Sequence, residues 1–280
     1  MADNYLEKKY EEYKSRKEGR TNHPYNGRKT TVIHKTRRVF VTGGAEGIGK
    51  AIVRAFRSAG HRVAFCDRNE AAGKETALQT GTSFFHVDVS DQEALENCMQ
   101  QIFKEWGDID IIINNAGISC FSPITETGVE DFDRILSVNL RPVFITSRRL
   151  AIHRQSQEAP NPFGRIVNIC STRYLMSEPG SEGYAASKGG VAQITKAFCN
   201  EWAEKGINVN SIAPGYMATE MNTALLDPKN PRKEAITNRI PAKRWGTAED
   251  MKGPCVFLAS DASDYLNGAV IPVDGGYLVR

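Results

Sequence analysis

At 280 residues, with 40% hydrophobic and 25% charged side chains, the chain has the balance of a globular protein, which excludes a disordered or collagen-like one. Its 36 Lys and Arg against 33 Asp and Glu leave +3, and the excess lies in residues 1–38, at +6, ahead of a body at −3. A mildly acidic body speaks against a nucleic-acid-binding face, where basic charge must lie on the folded surface.

Residues 1–20 set Tyr5, Leu6, Tyr10 and Tyr13 at near-helical spacing among charges, which predicts a thin amphipathic helix. Residues 21–35, with Pro24 and Gly27, read as a linker. The segment is either a docking arm for a neighbouring subunit or a frayed, solvated extension. It lacks a secretory apolar core, and no apolar run reaches membrane-span length. A cytoplasmic protein with no membrane partner is expected.

The pattern changes at Arg38. Short β-rich runs over 38–42, 62–66, 83–89, 109–115, 165–170, 207–212 and 269–274 alternate with helical segments, among them 47–59, 93–106, 132–152 and 183–204. Continuous apolar strands alternating with helices predict a parallel sheet covered on both faces. The fold class is therefore α/β, a Rossmann-type, doubly wound sheet of seven strands. One domain fills residues 38–280, behind an extension and linker over 1–37. Gly60 stands where a helix C′ glycine belongs, and the polar stretch 153–164 reads as a surface loop. The six cysteines form no CxxC pair, which favours buried thiols in a reducing compartment over disulfides or zinc. No metal site is expected.

The first strand runs into Thr42-Gly43-Gly44-Ala45-Glu46-Gly47-Ile48-Gly49 and then a helix. Glycines let backbone N–H groups approach a pyrophosphate, and the helix N-terminus adds partial positive charge. The GxxxGxG spacing is wider than the common GxGxxG, so its weight comes from its place after the first strand. Asp67 closes the second strand 18 residues after Gly49, where a carboxylate either takes the adenosine ribose hydroxyls or is an ordinary strand-end turn residue. With Glu46 it repels a 2′-phosphate, so NAD is favoured over NADP; Arg68 cuts the other way. Asp88, followed by Val89, either meets the adenine amino group or makes an Asx turn or helix N-cap. Asn114-Asn115-Ala116-Gly117 ends the fourth strand, with small residues for close approach to the ribose and an Asn to tie neighbouring strands.

Tyr184 and Lys188 lie four apart on one helix face, and Ser171 ends the fifth strand. A phenol with an ordinary pKa near ~10 needs nearby cations to work at neutrality. Taken alone, Tyr-xxx-Lys is equally a helix surface pair. In this order, however, residues 38–280 resemble the short-chain dehydrogenase/reductase family. The TGxxxGxG loop matches Thr42 to Gly49, NNAG matches Asn114 to Gly117, and YxxxK matches Tyr184 and Lys188. The resemblance places the family's structural and catalytic Asn on Asn139 and its catalytic Ser on Ser171. It also brings Pro214, Gly215, Met217 and Thr219 to the cofactor. It implies Tyr184 as the proton-transfer group, Lys188 as the residue that tunes it and holds the nicotinamide ribose, and Asn139 in a proton relay. It implies a homotetramer as well.

The carboxyl-terminal third is similar to the sugar-acid branch of that family, of the 2-deoxy-D-gluconate 3-dehydrogenase and gluconate 5-dehydrogenase type. The expected reaction is hydride transfer between nicotinamide and a secondary alcohol or ketone on a small sugar acid. Ser171 and Tyr184 face the substrate oxygen, and Arg173 meets a substrate carboxylate, or is a solvated loop arginine, or pairs with Glu178. Residues 216–239 read as a lid over the substrate. A 3-oxoacyl reductase, a polyol or hydroxysteroid dehydrogenase, and a non-catalytic NAD-binding module are the alternatives.

Overall fold

The computed structural model describes residues 35–280. The helix predicted over 1–20 and the linker through residue 34 lie outside the described residues. Seven parallel strands, β1 (Arg38–Thr42), β2 (Arg62–Asp67), β3 (Ser83–His86), β4 (Ile111–Asn114), β5 (Gly164–Ile169), β6 (Ile207–Pro214) and β7 (Val270–Val273), form one sheet in the order β3-β2-β1-β4-β5-β6-β7. The chain leaves β1 outward through β2 and β3, then crosses back to β4. That reversal opens a crevice at the carboxyl ends of β1 and β4, where sheets of this kind bind ligands.

Alternation along each strand builds a core on both faces. Phe40, Ile112, Ile166 and Val209 turn to one side and pack with helix α3 (Gln92–Trp106). Val39, Val41, Ile111, Ile113 and Val167 turn to the other and pack with helix α1 (Gly47–Ser58). Helix α3 buries Leu95, Met99, Ile102 and Trp106 at three- and four-residue spacing, and Asp91 caps it by accepting from Ala94 N at 3.0 Å. Each such side chain taken out of water contributes about 1.5–3 kcal/mol. A polar chain crosses this core beneath the crevice: Asn114 Nδ2 donates to Asn168 Oδ1 at 2.9 Å, and Asn168 Nδ2 to Thr195 Oγ1 at 2.9 Å. The strand-tying role expected of Asn114 is thus realised between β4 and β5.

Helix α2 (Glu70–Thr80) joins β2 to β3. The single helix predicted over 132–152 is two: α4 (Val129–Asn139) and α5 (Arg141–Gln155), meeting at Leu140. Pro142 is the reason. It has no N–H to donate and its ring crowds the carbonyl four residues back, so it opens the first turn of α5 instead of continuing α4. Helix α6 (Glu182–Trp202) carries the predicted Tyr-xxx-Lys pair, and Gly60 follows α1 at φ +84°. Short helices α7 (Thr223–Leu226), α8 (Arg232–Arg239) and α9 (Lys252–Leu258) follow β6. All six cysteines are free, with Cys66, Cys98, Cys170 and Cys255 buried. Among the described residues no helix is long and apolar enough to cross a membrane.

Candidate active site

A cavity of about 750 Å³ lies across the carboxyl ends of the strands. It is lined by Asp67, Arg68, Asp88 and Val89 on the β2–β3 side, and by Gly43, Glu46, Gly47, Ile48 and Asn115 to Gly117 at the centre. Ser171, Tyr184, Lys188, Pro214, Gly215, Met217 and Thr219 close the far side. Its volume suits a dinucleotide-sized ligand and its wall is mixed apolar and polar.

The central wall fits a pyrophosphate. Gly47 has φ +51°, a conformation open to glycine, and it starts α1 so that the first-turn N–H groups face the cavity. A Cβ on Gly49 would stand 1.8 Å from Gly43 O, so only glycine lets α1 approach this turn. Asn115 fixes the turn from the neighbouring strand: its Nδ2 donates to Gly43 O at 2.8 Å and to Thr42 O at 3.2 Å. At the adenosine end, Asp67 Oδ2 accepts from Ala45 N at 3.0 Å and Oδ1 from Asn69 N at 2.9 Å. The two backbone amides aim a carboxylate with lone pairs to spare into the cavity. Asp88 accepts from Ser90 N at 2.8 Å and Ser90 Oγ at 2.7 Å, so it makes the Asx turn while it also lines the cavity; the N-cap is Asp91.

The catalytic candidates meet on the β5–α6 side. Ser171 and Tyr184 line the same end of the cavity, where Ser171 Oγ accepts from Arg173 N at 3.2 Å. Tyr184 is open to the cavity as a residue, while burial around its hydroxyl pushes the phenol above its ordinary pKa. The neighbouring Ser171 hydroxyl and the Arg173 charge pull the other way without cancelling that burial. Lys188 is buried, which lowers its pKa, and its Nζ donates to Ile169 O at 2.8 Å. The ammonium lies 5.7 Å from the centre of the Tyr184 ring. A hydroxyl pair beside a held ammonium can pass a proton to or from a carbonyl oxygen.

Beyond Ser171 the wall becomes charged. Arg173 Nη2 lies 2.6 Å from Glu178 Oε1 and donates to the Tyr216 hydroxyl at 2.9 Å. The same hydroxyl donates to Glu178 Oε1 at 2.7 Å, and Arg232 Nη2 reaches Glu178 Oε2 at 2.8 Å. Burial pushes the Glu178 carboxyl up, but Tyr216 and the guanidiniums outweigh it and hold it below its ordinary value. Of the readings open for Arg173, the pairing with Glu178 is present in the structure, and the side chain is buried, not solvated.

The comparisons decide the family. A family model described as enoyl-(acyl carrier protein) reductase matches residues 43–278. The chain is 40% identical over 253 residues to 2-dehydro-3-deoxy-D-gluconate 5-dehydrogenase of Bacillus subtilis, covering 88% of this chain and 96% of that one. It is 36% identical over 249 residues to gluconate 5-dehydrogenase of Gluconobacter oxydans, covering 86% and 94%. A gluconate 5-dehydrogenase from Burkholderia cenocepacia J2315, solved in complex with NADP and tartrate, superposes at a TM-score of 0.80 with 34% identity, over 87% of this chain and 96% of that one. The chain belongs to the short-chain dehydrogenase/reductase family. As a member it is an oxidoreductase of alcohol and carbonyl groups that works with a nicotinamide cofactor.

Three of the expected site residues, Thr42 and Gly49 for the cofactor and Asn139 for catalysis, are not among the residues that line the cavity. Thr42 is buried, and its hydroxyl accepts from Asn115 N at 3.1 Å and Ala116 N at 3.2 Å. It ties the dehydrogenase's NNAG turn to β1 and does not itself line the cavity. Gly49 likewise shapes the turn from behind. Asn139 is buried, with Oδ1 accepting from Ile118 N at 2.8 Å and Nδ2 donating to Ile118 O at 2.9 Å and Ser187 Oγ at 3.1 Å. Its side chain braces the loop after Gly117. Sequence reasoning did not connect Glu178, Tyr216 and Arg232 as a cluster. No local spacing signals it, since Tyr216 and Arg232 lie 38 and 54 residues from Glu178.

Proposed function

We propose that this dehydrogenase interconverts a secondary alcohol and a ketone on a small sugar acid. The observation that carries the reading is one cavity that joins Ser171, Tyr184 and Lys188 to an arginine-bearing end. The names of the Bacillus and Gluconobacter relatives, and the tartrate in the Burkholderia structure, favour the same substrate class. When bound, the nicotinamide supplies or accepts a hydride at the carbon that bears the oxygen. The chain does the rest. Ser171 hydrogen-bonds the substrate oxygen, and Tyr184 holds or takes the proton on it. Lys188 places a positive charge beside that hydroxyl and the ribose, and Asn139 keeps the Ile118 loop in place. Initial rates over sugar acids, polyols, hydroxysteroids and acyl thioesters test the reading. The sugar acids are expected to give the highest kcat/KM, and a preference for any other class refutes it.

The reading includes NAD as the preferred cofactor. Asp67, aimed by Ala45 N and Asn69 N, and Glu46, held by Asn69 Nδ2 at 3.2 Å, bring two carboxylates to the adenosine end. Both repel a 2′-phosphate. The Burkholderia relative was solved with NADP, and Arg68 also lines the cavity here, so the comparison is worth making directly. NAD(H) is expected to bind about tenfold or more tightly than NADP(H), a difference of about 1.4 kcal/mol. Asp67→Ala narrows the gap; equal affinities in the parent overturn the preference.

The assembly we propose is a homotetramer in the cytoplasm, where free cysteines stay reduced. Phe144 and Ile152 are exposed on α5, with Phe144 edge-on to Phe198 of α6, and Phe257 and Val279 are exposed toward the carboxyl end. Apolar groups of this size on adjoining helices suit a subunit interface. Light scattering reading a mass of four chains supports this, and a stable monomer at micromolar concentration overturns it.

A further inference from the structure

The charged end of the cavity is built asymmetrically. Glu178 is fixed at its backbone, where its N donates to Ser181 Oγ at 3.0 Å and the same hydroxyl donates back to Glu178 O at 2.6 Å. Its carboxylate is gripped from below by Arg173 and Tyr216 and from the lid side by Arg232. Tyr216 is itself wedged edge-on against Trp245 and Tyr277, with ring centres 5.2 and 5.3 Å away. Arg173 is enclosed, its side chain 6% exposed, with Nη2 shared between Glu178 and Tyr216 and Nη1 buried without a partner. Arg232 is the opposite case. It opens α8, lines the same cavity, and its side chain is 56% exposed. Of its guanidinium nitrogens, Nη2 alone is bonded to a described residue.

Two guanidiniums and one carboxylate leave one positive charge in excess at this end. A monocarboxylate neutralises it. Arg173 has Nη2 committed to Glu178 and Tyr216 and Nη1 buried away from the open cavity, whereas Arg232, largely exposed, keeps an open edge for a second carboxylate.

We propose that Arg232 is the specificity residue that receives the substrate carboxylate, with Glu178 as the positioning residue that aims it. Arg173 and Tyr216 hold Glu178 in place. The inference rests on the sugar-acid reading and names the residue that enforces it. It moves the expected carboxylate contact from Arg173, beside Ser171, to the 216–239 segment.

The test uses D-gluconate and its uncharged counterpart D-glucitol as probes, as substrates of the full-length enzyme and as ligands titrated calorimetrically into the enzyme with its reduced cofactor. Arg232→Gln is expected to raise KM and Kd for gluconate by about 10–100-fold, the loss of a charge-assisted contact, with the effect on KM rather than kcat. The gluconate loss should exceed the glucitol loss at least about tenfold. Arg232→Lys recovers part of it, because an ammonium lacks the fork. Glu178→Gln keeps the Arg232 charge but loosens its aim, so a smaller loss, again larger for gluconate, is expected. Lys229→Gln removes a charge from the same segment and should leave both probes unchanged, which separates a contact from net charge. Equal losses on both probes in Arg232→Gln, or a gluconate-specific loss confined to Arg173→Gln, overturn the inference while the sugar-acid reading stands. A parent enzyme that does not distinguish gluconate from glucitol defeats that reading first, and the inference with it.

Discussion

Tyr184→Phe is expected to lower kcat by about 10²–10⁴-fold, the range for removing a positioned general acid or base. Cofactor affinity should stay near the parent value, because the substitution removes one hydroxyl and keeps the ring. The structure also sets the sign of the pH dependence. Burial holds the Tyr184 phenol above its ordinary pKa, with the neighbouring Ser171 hydroxyl and the Arg173 charge only partly offsetting it. The phenol is therefore protonated at neutrality in the protein alone. Reduction needs that proton and should proceed at neutral pH, then fall as the phenol ionises. Oxidation needs the phenolate and should climb with rising pH. Steady-state rates in both directions read this, and the Phe variant should flatten both profiles. Near-parental turnover in Tyr184→Phe would remove Tyr184 from its role.

Gly49→Ala tests the other half of the site. The new Cβ would lie 1.8 Å from Gly43 O, 2.6 Å from Asn115 Nδ2 and 2.8 Å from Gly43 C. Two of those three atoms are backbone and cannot rotate away. Helix α1 has to shift off the turn, which misplaces the N–H groups of Gly47 and Ile48. Overpacking of this kind costs about 1–3 kcal/mol of stability. For a domain of this size that lowers Tm by about 2–4 °C per kcal/mol. Cofactor affinity should fall by about 10–100-fold as well, if the misplaced amides lose a similar free energy on the pyrophosphate. Gly253→Ala is the matched comparison, since its new Cβ meets no atom within 4 Å beyond its own helix and chain neighbours; it should leave cofactor affinity unchanged and not lower Tm. Calorimetry and a fluorescence titration of the cofactor measure both. An unchanged Gly49→Ala would mean that the turn tolerates a side chain and that its glycine is incidental.

Much of the molecule is legible along the chain because its rules are local. Runs such as Ile111–Asn114 are buried on both faces, so they read as unbroken apolar strands, and the seven strands fall where the pattern puts them. The glycine turn and Asn115 follow directly on the ends of β1 and β4, and Asp67 is the last residue of β2, so motif position carried directly into cavity position. Tyr184 and Lys188 needed only the pitch of one helix. The break at Leu140 was not read from the sequence, because the apolar periodicity of 132–152 runs across it; Pro142 is the local feature that marks it.

The rest was decided by which segments the sheet order brings together. Arg173 carries the same charge whether it faces a ligand or Glu178, and nothing near it in the chain selects between them. The choice depends on Tyr216, which follows β6, and on Arg232, which opens α8, both delivered to the β5 loop because β6 lies beside β5. Asn139 shows the same dependence: the family resemblance marks it as functional, yet its side chain bonds Ile118 and Ser187, 21 and 48 residues away. Spacing within one element is set by the 3.6- and 2-residue repeats of the backbone. Contacts between loops are set by strand order and register, which the sum of many weak burials across the sheet determines.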